Sequence, residues 1–197
     1  MYVGRYVESQ ILGTPCDIPK DEQFTKSGSQ RQAFVDADAS IEKARSDAIF
    51  MSALDGRTQV RVEEDGILGI VDVINDYAVD LKTTASISEL QWDDNLRMKI
   101  PFYAKNLYRI QGAIYSKLTG KPFRIAAISK EKIPEIAIID FDPVAIDLAW
   151  DEVQFWKDRI MRIVRHEIEP VRCEKCDYCR LTKGVMMLHV GPFDILS

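Results

Sequence analysis

Three charged side chains stand at a regular spacing between apolar runs in the middle of the chain. Asp72 ends the run Gly69-Ile-Val-Asp72, and Asp80 and Lys82 alternate along Val79-Asp80-Leu-Lys82. Because residues i and i+2 of a strand point to the same face, Asp80 and Lys82 emerge together, and Asp72 joins them if the two strands pair. Two carboxylates and an ammonium are costly to bury on an apolar sheet unless they bind a ligand. A divalent cation and a scissile phosphate are the charge partners that fit.

The donor types of this Asp-x₇-Asp-x-Lys pattern indicate which metal would bind. Carboxylate oxygens are hard ligands that suit Mg²⁺ or Mn²⁺. Such an ion activates water and offsets the charge on a phosphate under attack, while Lys82 would position the water or the phosphate. The alternative for each residue alone is a strand charge that faces solvent, and the spacing of the three together argues against it.

A second candidate metal site is the cysteine tail. Cys173, Cys176 and Cys179 supply three thiolates within one short loop, whereas a zinc ion or an iron–sulfur cluster normally takes four ligands. The candidates for a fourth ligand are Cys16, His166 and His189. The alternatives are reduced thiols without a metal, or a small zinc-ribbon-like binding element.

Composition limits the class of protein. The 197 residues are 46% hydrophobic and 29% charged, with 10 Gly and 8 Pro, which excludes collagenous, low-complexity and largely disordered chains. The net charge of −5 excludes a generally basic surface, so a nucleic acid would need a local basic patch. No apolar stretch approaches the roughly 20 residues of a membrane span, and the start of the chain lacks a signal-peptide core. We therefore expect a soluble, cytoplasmic protein without disulfides and without a membrane partner.

Hydrophobic periodicity predicts the elements that position these residues. Helical spacing predicts helices over residues 2–11, 34–51, 106–118 and 144–165. Alternating or continuous apolar runs predict strands over 59–63, 67–74, 78–84, 123–129 and 136–141. The order α, α, β, β, β, α, β, β, α predicts a single α/β domain over residues 1–197, with helices flanking a mixed central sheet.

A further pair of polar residues lies on the third predicted helix. Gln111 and Tyr115 are four residues apart and therefore share one face. The chain resembles the PD-(D/E)XK nucleases. The resemblance rests on this Gln-x-x-x-Tyr motif and on Gly69–Asp72, Val79–Thr84, the opening Val3–Glu8 and the tail Arg172–Arg180. The resemblance is to their RecB-type and RecE-like branch of phage exonucleases, also called exodeoxyribonuclease VIII-like, and it covers nearly the whole chain.

The resemblance implies a role for each of these residues. Asp72, Asp80 and the backbone carbonyl of Leu81 would hold the catalytic Mg²⁺ or Mn²⁺, Lys82 would be the catalytic lysine, and Gln111 and Tyr115 would complete the site. Where the family usually has a histidine in its first helix this chain has Glu8, which we expect to keep the role of metal ligand. Glu63 is a weaker candidate for an additional carboxylate, with an ordinary strand charge as its alternative.

The resemblance also implies a cofactor, a substrate and partners. In RecB-type relatives a remote N-terminal cysteine joins three C-terminal ones around a [4Fe-4S] cluster, which makes Cys16 the candidate alongside Cys173, Cys176 and Cys179. The implied activity is resection of linear double-stranded DNA in phage or prophage recombination, with a single-strand-annealing recombinase as partner and a ring-shaped homo-oligomer around the DNA. Candidate phosphate contacts are Lys117, Lys121, Arg124, Lys130, Lys132, Arg172, Lys175, Arg180 and Lys183.

Two other functions stay open at this point. A catalytically weak DNA-binding or assembly module would keep the fold and the cysteine tail. Two features suggest it. One is Glu8 in place of the usual histidine, and the other is that family members commonly have a segment ahead of their first helix, where this chain begins. A zinc-dependent regulator is the third hypothesis, and metal analysis distinguishes it from an iron–sulfur protein.

Overall fold

The computed structural model describes residues 2–185, which form two compact units that meet in sequence between Trp156 and Lys157. The helices are α1 (Tyr2–Leu12), α2 (Lys20–Gln23), α3 (Gln32–Ser46), α4 (Ala48–Ala53), α5 (Asn106–Thr119), α6 (Pro143–Val164) and α7 (Asp177–Leu181). The strands are β1 (Arg57–Glu64), β2 (Ile67–Ile74), β3 (Ala78–Thr84), β4 (Gln91–Asp93), β5 (Met98–Ile100), β6 (Phe123–Ser129) and β7 (Ile136–Asp140). No helix among these residues is long and apolar enough to cross a membrane.

The first unit contains a five-stranded mixed sheet in the order β1-β2-β3-β6-β7. Three neighbouring pairs are antiparallel, and β3 and β6 are parallel. The connection between the parallel strands carries the short β4–β5 hairpin, a 3-10 helix at Phe102–Ala104, and α5. The predicted α/β class, with helices flanking a mixed central sheet, is therefore confirmed.

Both faces of the sheet are covered. One core cluster joins α1, α3 and α4 to the sheet through Val7, Ile41 and Phe50. The other joins α5 and α6 to the opposite face through Ala113 and Ile146. Burial on both faces explains why the interior strand β6 carries the continuous apolar run Ile125–Ile128 instead of alternating.

The second predicted helix is interrupted. Instead of one helix over residues 34–51, α3 ends at Ser46 and α4 begins at Ala48. Asp47 between them has an extended backbone, and its carboxylate accepts a hydrogen bond from the N–H of Phe50 at 2.9 Å. This N-cap starts a new helix, and apolar periodicity alone does not reveal it.

The sheet is irregular at Asp72. The β1–β2 ladder pairs Thr58 with Val73 and Val60 with Val71, but the intervening pair of Gln59 and Asp72 is missing. Gln59 has a φ of +49°. Although residues i and i+2 of a regular strand share a face, Val71 lies in one core cluster and Val73 in the other. The side chains of β2 therefore switch faces of the sheet at Asp72.

The second unit is small. It comprises the last part of α6, a connecting loop and α7. Ion pairs join Arg162 and Arg165 to Glu167, and Arg172 to Glu174. The prediction of a single domain over the whole chain stays a prediction.

Candidate active site

Asp72, Asp80 and Lys82 meet where β2 and β3 separate. These strands pair only through Val73–Val79 and Ile74–Ala78, and the next pair in this register would be Asp72 with Asp80. There the backbone N–H of Leu81 donates a hydrogen bond to the Asp72 carboxylate at 2.8 Å. Asp80 is 2% exposed, and Lys82 Nζ lies 2.6 Å from Asp80 Oδ2. The opening between the strands thus places two carboxylates and an ammonium together.

Helix α5 adds Gln111 and Tyr115 from one face. Gln111 Nε2 donates to Asp80 Oδ1 at 2.8 Å and to Tyr115 Oη at 3.0 Å. The Tyr115 hydroxyl donates in turn to the backbone carbonyl of Ile70 at 2.6 Å. Gly69 permits this close packing, because a Cβ there would lie 2.8 Å from Tyr115 Cε1. The Gln-x-x-x-Tyr motif therefore orients Asp80 and ties α5 to β2.

Glu8 and Gln59 form the outer side of the site. Gln59 Nε2 donates to Glu8 Oε1 at 2.9 Å and lies 3.3 Å from Asp72 Oδ1. Glu8, on α1, is thereby linked to the strand carboxylate, and its role as a metal ligand stays a prediction. Sequence reasoning missed Gln59, because no local pattern distinguishes it from other polar residues of β1.

Two other predicted residues have different surroundings. The exposed carboxylate of Glu63 has its Oε2 2.6 Å from Arg61 Nη2. In the β1–β2 ladder Glu63 pairs with Leu68, which lies four residues before Asp72. Its alternative interpretation as an ordinary strand charge therefore fits better. Leu81 contributes its N–H to Asp72, and the metal-ligand role of its carbonyl stays a prediction.

The electrostatics of the site favour a bound cation. Burial raises the pKa of Asp72 to about 7, and the charge of Asp80 adds to the rise. Burial likewise raises the pKa of Asp80, and burial together with Asp80 raises that of Glu8. Burial alone would lower the pKa of Lys82, but the Asp80 carboxylate outweighs it and the pKa lies above its usual value. Three carboxylates thus face the Lys82 ammonium, and Arg5 acts on Glu8 alone, which leaves negative charge uncompensated.

The carboxylates fit a divalent metal by donor type. Asp80 Oδ2 is buried and makes no hydrogen bond of normal geometry, even though Lys82 Nζ is close. A buried, incompletely satisfied carboxylate oxygen suits a hard cation. The oxygens are not gathered around one point, since within residues 2–185 only the cysteine tail has three ligand atoms within 4.8 Å of one another.

A cleft of about 750 Å³ lies beside Lys82 and Gln111, between β2 and α5. Its walls are mainly apolar and are formed by Leu68, Ile70, Leu107, Tyr108, Ile110 and Ile114. Leu68 and Ile70 are each 51% exposed and Leu107 is 69% exposed. The buried charges therefore adjoin an open, apolar surface.

The cysteine tail brings its three thiols together. The sulfur atoms of Cys173 and Cys179 lie 3.8 Å apart, and all four cysteines of the chain are free. The N–H of Cys176 donates to Cys173 Sγ, and such backbone hydrogen bonds lower the pKa of the Cys173 thiol to about 6. The arrangement suits a thiolate-bound metal.

The fourth ligand of this tail stays open. Cys16 is half-buried and follows α1 in the first unit. His166 is exposed just after α6, and His189 lies outside the described residues.

Several candidate phosphate contacts are already paired. Arg124 makes a bidentate contact with Asp140 at 2.7 and 3.0 Å, and its guanidinium lies over the Tyr77 ring. Lys117 lies 2.7 Å from Asp147, and Arg172 and Lys183 both contact Glu174. Of the other candidates, Lys130, Lys132, Lys175 and Arg180 are exposed and Lys121 is half-buried.

Comparison with known proteins identifies the family of the chain. Residues 1–182 match the family model of a PDDEXK-like domain of unknown function (DUF3799). The crystal structure of a "Putative exonuclease" from Eubacterium rectale superposes with a TM-score of 0.79 at 32% sequence identity, covering 99% of this chain and 78% of that chain. No curated protein matches the sequence. The chain therefore belongs to the PDDEXK-like family, within the PD-(D/E)XK nuclease superfamily.

Proposed function

We propose that the protein is a metal-dependent exonuclease that hydrolyses phosphodiester bonds of linear double-stranded DNA. The observation that carries the proposal is the meeting of Asp72, Asp80 and Lys82 at the opening between β2 and β3, with negative charge left uncompensated. Family membership supports a nuclease, and the similarity to a "Putative exonuclease" supports the exonuclease mode.

Asp72 and Asp80 would hold Mg²⁺ or Mn²⁺, with Glu8 and the carbonyl of Leu81 as further ligands. When bound, the ion would lower the pKa of a coordinated water and offset charge on the phosphate. Gln111 would keep Asp80 oriented, because its amide donates to Asp80 Oδ1 while Lys82 Nζ lies next to Asp80 Oδ2. Tyr115 would fix the Gln111 side chain in turn.

Lys82 would act as a cation toward the substrate. Its pKa lies above the usual value, so at neutral pH it carries its proton and donates hydrogen bonds instead of abstracting a proton. The side chain is 27% exposed, which leaves the ammonium accessible from the cleft. We assign it the task of holding a non-bridging oxygen of the scissile phosphate.

The apolar cleft would hold the nucleotide next to that phosphate. Nucleobases have apolar faces, and Tyr108 and the aliphatic side chains of the cleft offer surfaces on which a base can pack. Backbone contacts elsewhere would come from local basic residues such as Lys130 and Lys132, since the net charge of the chain is negative.

The test uses two forms of the same DNA. A linear duplex with labelled ends and a covalently closed circle are incubated with the protein in Mg²⁺, Mn²⁺ or EDTA. We expect loss of the end label in either metal, no loss in EDTA, and an intact circle, because an exonuclease needs an end. Cleavage of the circle would contradict the exonuclease mode, and cleavage in EDTA would contradict the metal dependence.

The same experiment separates the alternative function. A catalytically weak DNA-binding or assembly module would shift the DNA on a native gel and leave both forms intact in every metal. The phage or prophage role, the single-strand-annealing partner and the ring-shaped homo-oligomer rest on resemblance alone and stay predictions.

A further inference from the structure

Gln59 has an unusual backbone for its residue type. Its φ of +49° lies in the left-handed region, which glycine and asparagine adopt more readily than glutamine. Its neighbours Thr58 and Val60 both keep their places in the β1–β2 ladder, so on β1 the distortion is confined to one residue. Such local strain persists where surrounding interactions hold it, and it occurs preferentially at functional sites.

The distortion coincides with a bridge between two carboxylates from separate elements. The Gln59 amide donates to Glu8 on α1 and to Asp72 on β2, at 2.9 and 3.3 Å. A primary amide has two N–H groups, so it can give one to each carboxylate. Within residues 2–185, this bond from Gln59 is the one hydrogen bond of the Glu8 side chain.

Glu8 needs such a partner to stay in the site. Its carboxylate is partly exposed at the end of a flexible side chain, and Asp72 and Asp80 repel it. Lys82 and Arg5 attract it, but neither donates a hydrogen bond to it that would fix its position. Asp72, by contrast, is also held by the N–H of Leu81. Loss of the Gln59 amide would therefore release Glu8 toward solvent and affect Asp72 less.

We propose that Gln59 is a positioning residue that fixes Glu8 beside Asp72 and thereby sets the affinity of the site for a divalent cation. This inference rests on the proposed function. Residues that orient metal ligands by hydrogen bonds typically change metal affinity by about 10- to 100-fold when they are removed. Gln59 is itself exposed, so the lower end of that range applies.

The test measures Mn²⁺ binding to the full chain without DNA, from the electron paramagnetic resonance signal of free Mn²⁺. Mn²⁺ is a hard ion that prefers carboxylate oxygens to thiolates, so it reports on this site and not on the cysteine tail. We expect Gln59→Met to weaken Mn²⁺ binding about tenfold. The control is Gln32→Met, which removes a glutamine that donates to Asp36 on α3 and should leave the affinity unchanged.

A double-mutant comparison shows whether Gln59 acts through Glu8. In a Glu8→Gln background we expect Gln59→Met to change the affinity by less than about threefold, because the ligand that it positions is already lost. If Gln59→Met does not fold, Gln59→Asn replaces it. Asparagine accepts the left-handed backbone but has a shorter amide, and we expect the same direction of change.

Three results would overturn the inference. Unchanged or tighter Mn²⁺ binding in Gln59→Met would show that the amide does not support the site. An equal loss with and without Glu8 would show that it does not act through that residue. A wild-type protein that binds no Mn²⁺ would overturn the metal dependence as well. If the wild type binds Mn²⁺ and Gln59→Met weakens the binding, but DNA stays intact, only the nuclease proposal fails.

Discussion

Asp72 illustrates how the arrangement of the proposed active site opposes stability. Its carboxyl is largely buried beside Asp80, and its pKa is raised to about 7. Because the unfolded chain releases this proton near pH 4, the unfolded state binds fewer protons between about pH 4 and 7. The free energy of unfolding of the metal-free protein therefore loses a contribution as the pH rises through this window.

Asp72→Asn should remove this pH-dependent loss. In EDTA, we expect the unfolding free energy of the variant minus that of the wild type to grow by about 2 kcal/mol from pH 5.5 to pH 7.5. Urea unfolding at the two pH values measures it, and Glu63→Gln on β1 is the control for loss of a carboxylate. A difference that stays constant or shrinks with pH would show that Asp72 is not destabilised by burial.

The site residues differ in how far the sequence reveals them. Asp80 and Lys82 are predictable because a strand repeats every two residues, and Gln111 and Tyr115 because a helix brings i and i+4 together. Glu8 enters only through family resemblance, since its place depends on how α1 packs on the sheet. Gln59 was missed because its role depends on one left-handed backbone angle and on two contacts distant in sequence.

At the scale of the elements, the contact between β2 and α5 supports the site. The Tyr115 ring packs against Gly69, and its hydroxyl is bonded to Ile70. Through Gln111 the same helix reaches Asp80. The position of α5 relative to β2 thus determines the orientation of a proposed metal ligand.

Gly69→Ala should disturb this contact. The added Cβ would lie 2.8 Å from the Tyr115 ring, so the ring must move and its hydrogen bonds lengthen. We expect DNA cleavage to slow at least tenfold and unfolding to become easier by about 1–3 kcal/mol. Steady-state kinetics and urea unfolding measure the two effects.

Two further variants show whether the effect of Gly69→Ala comes from this contact. Gly184→Ala is the matched control, since its added Cβ meets nothing within 4 Å. Tyr115→Phe removes the hydroxyl without crowding and should also slow cleavage. Wild-type cleavage rates in both Gly69→Ala and Tyr115→Phe would contradict a role for this helix–strand contact.

The elements themselves were predictable to different degrees. The long strands and α5 have enough periodic residues to define them, and their predicted positions agree with the structure. The three-residue strands β4 and β5 carry too little pattern, and the break at Asp47 depends on a side-chain cap. Pairing order also needs tertiary contacts, because the paired residues of the parallel strands β3 and β6, such as Ala78 and Phe123, are 45 residues apart in sequence.

At the scale of the whole molecule, the cysteine tail is a second proposed metal centre, remote in sequence from the carboxylates. Three thiols lie close together, with one pKa lowered to about 6 by backbone hydrogen bonds. We propose a [4Fe-4S] cluster or Zn²⁺ at these three cysteines, and Cys16 as their fourth ligand stays a prediction from the family resemblance.

Metal analysis of the purified protein tests this centre. We expect either about four iron and four sulfide ions per chain with a brown colour, or about one zinc ion without colour. Cys176→Ser should lower the metal content severalfold and the thermal midpoint with it. Cys16→Ser should do the same only if Cys16 is the fourth ligand. A metal-free wild type, purified without oxygen or chelators, would contradict the proposal.

The central claim is that Asp80 and Lys82 catalyse DNA hydrolysis, and site variants test it most directly. Degradation of an end-labelled linear duplex in Mg²⁺ is followed for the wild type, Asp80→Ala, Lys82→Ala and the control Glu63→Ala, which changes an exposed carboxylate on β1. Circular dichroism establishes that each variant is folded. We predict that Asp80→Ala and Lys82→Ala abolish metal-dependent loss of label, while Glu63→Ala retains it. Cleavage by Asp80→Ala at the wild-type rate would contradict the assignment of the active site.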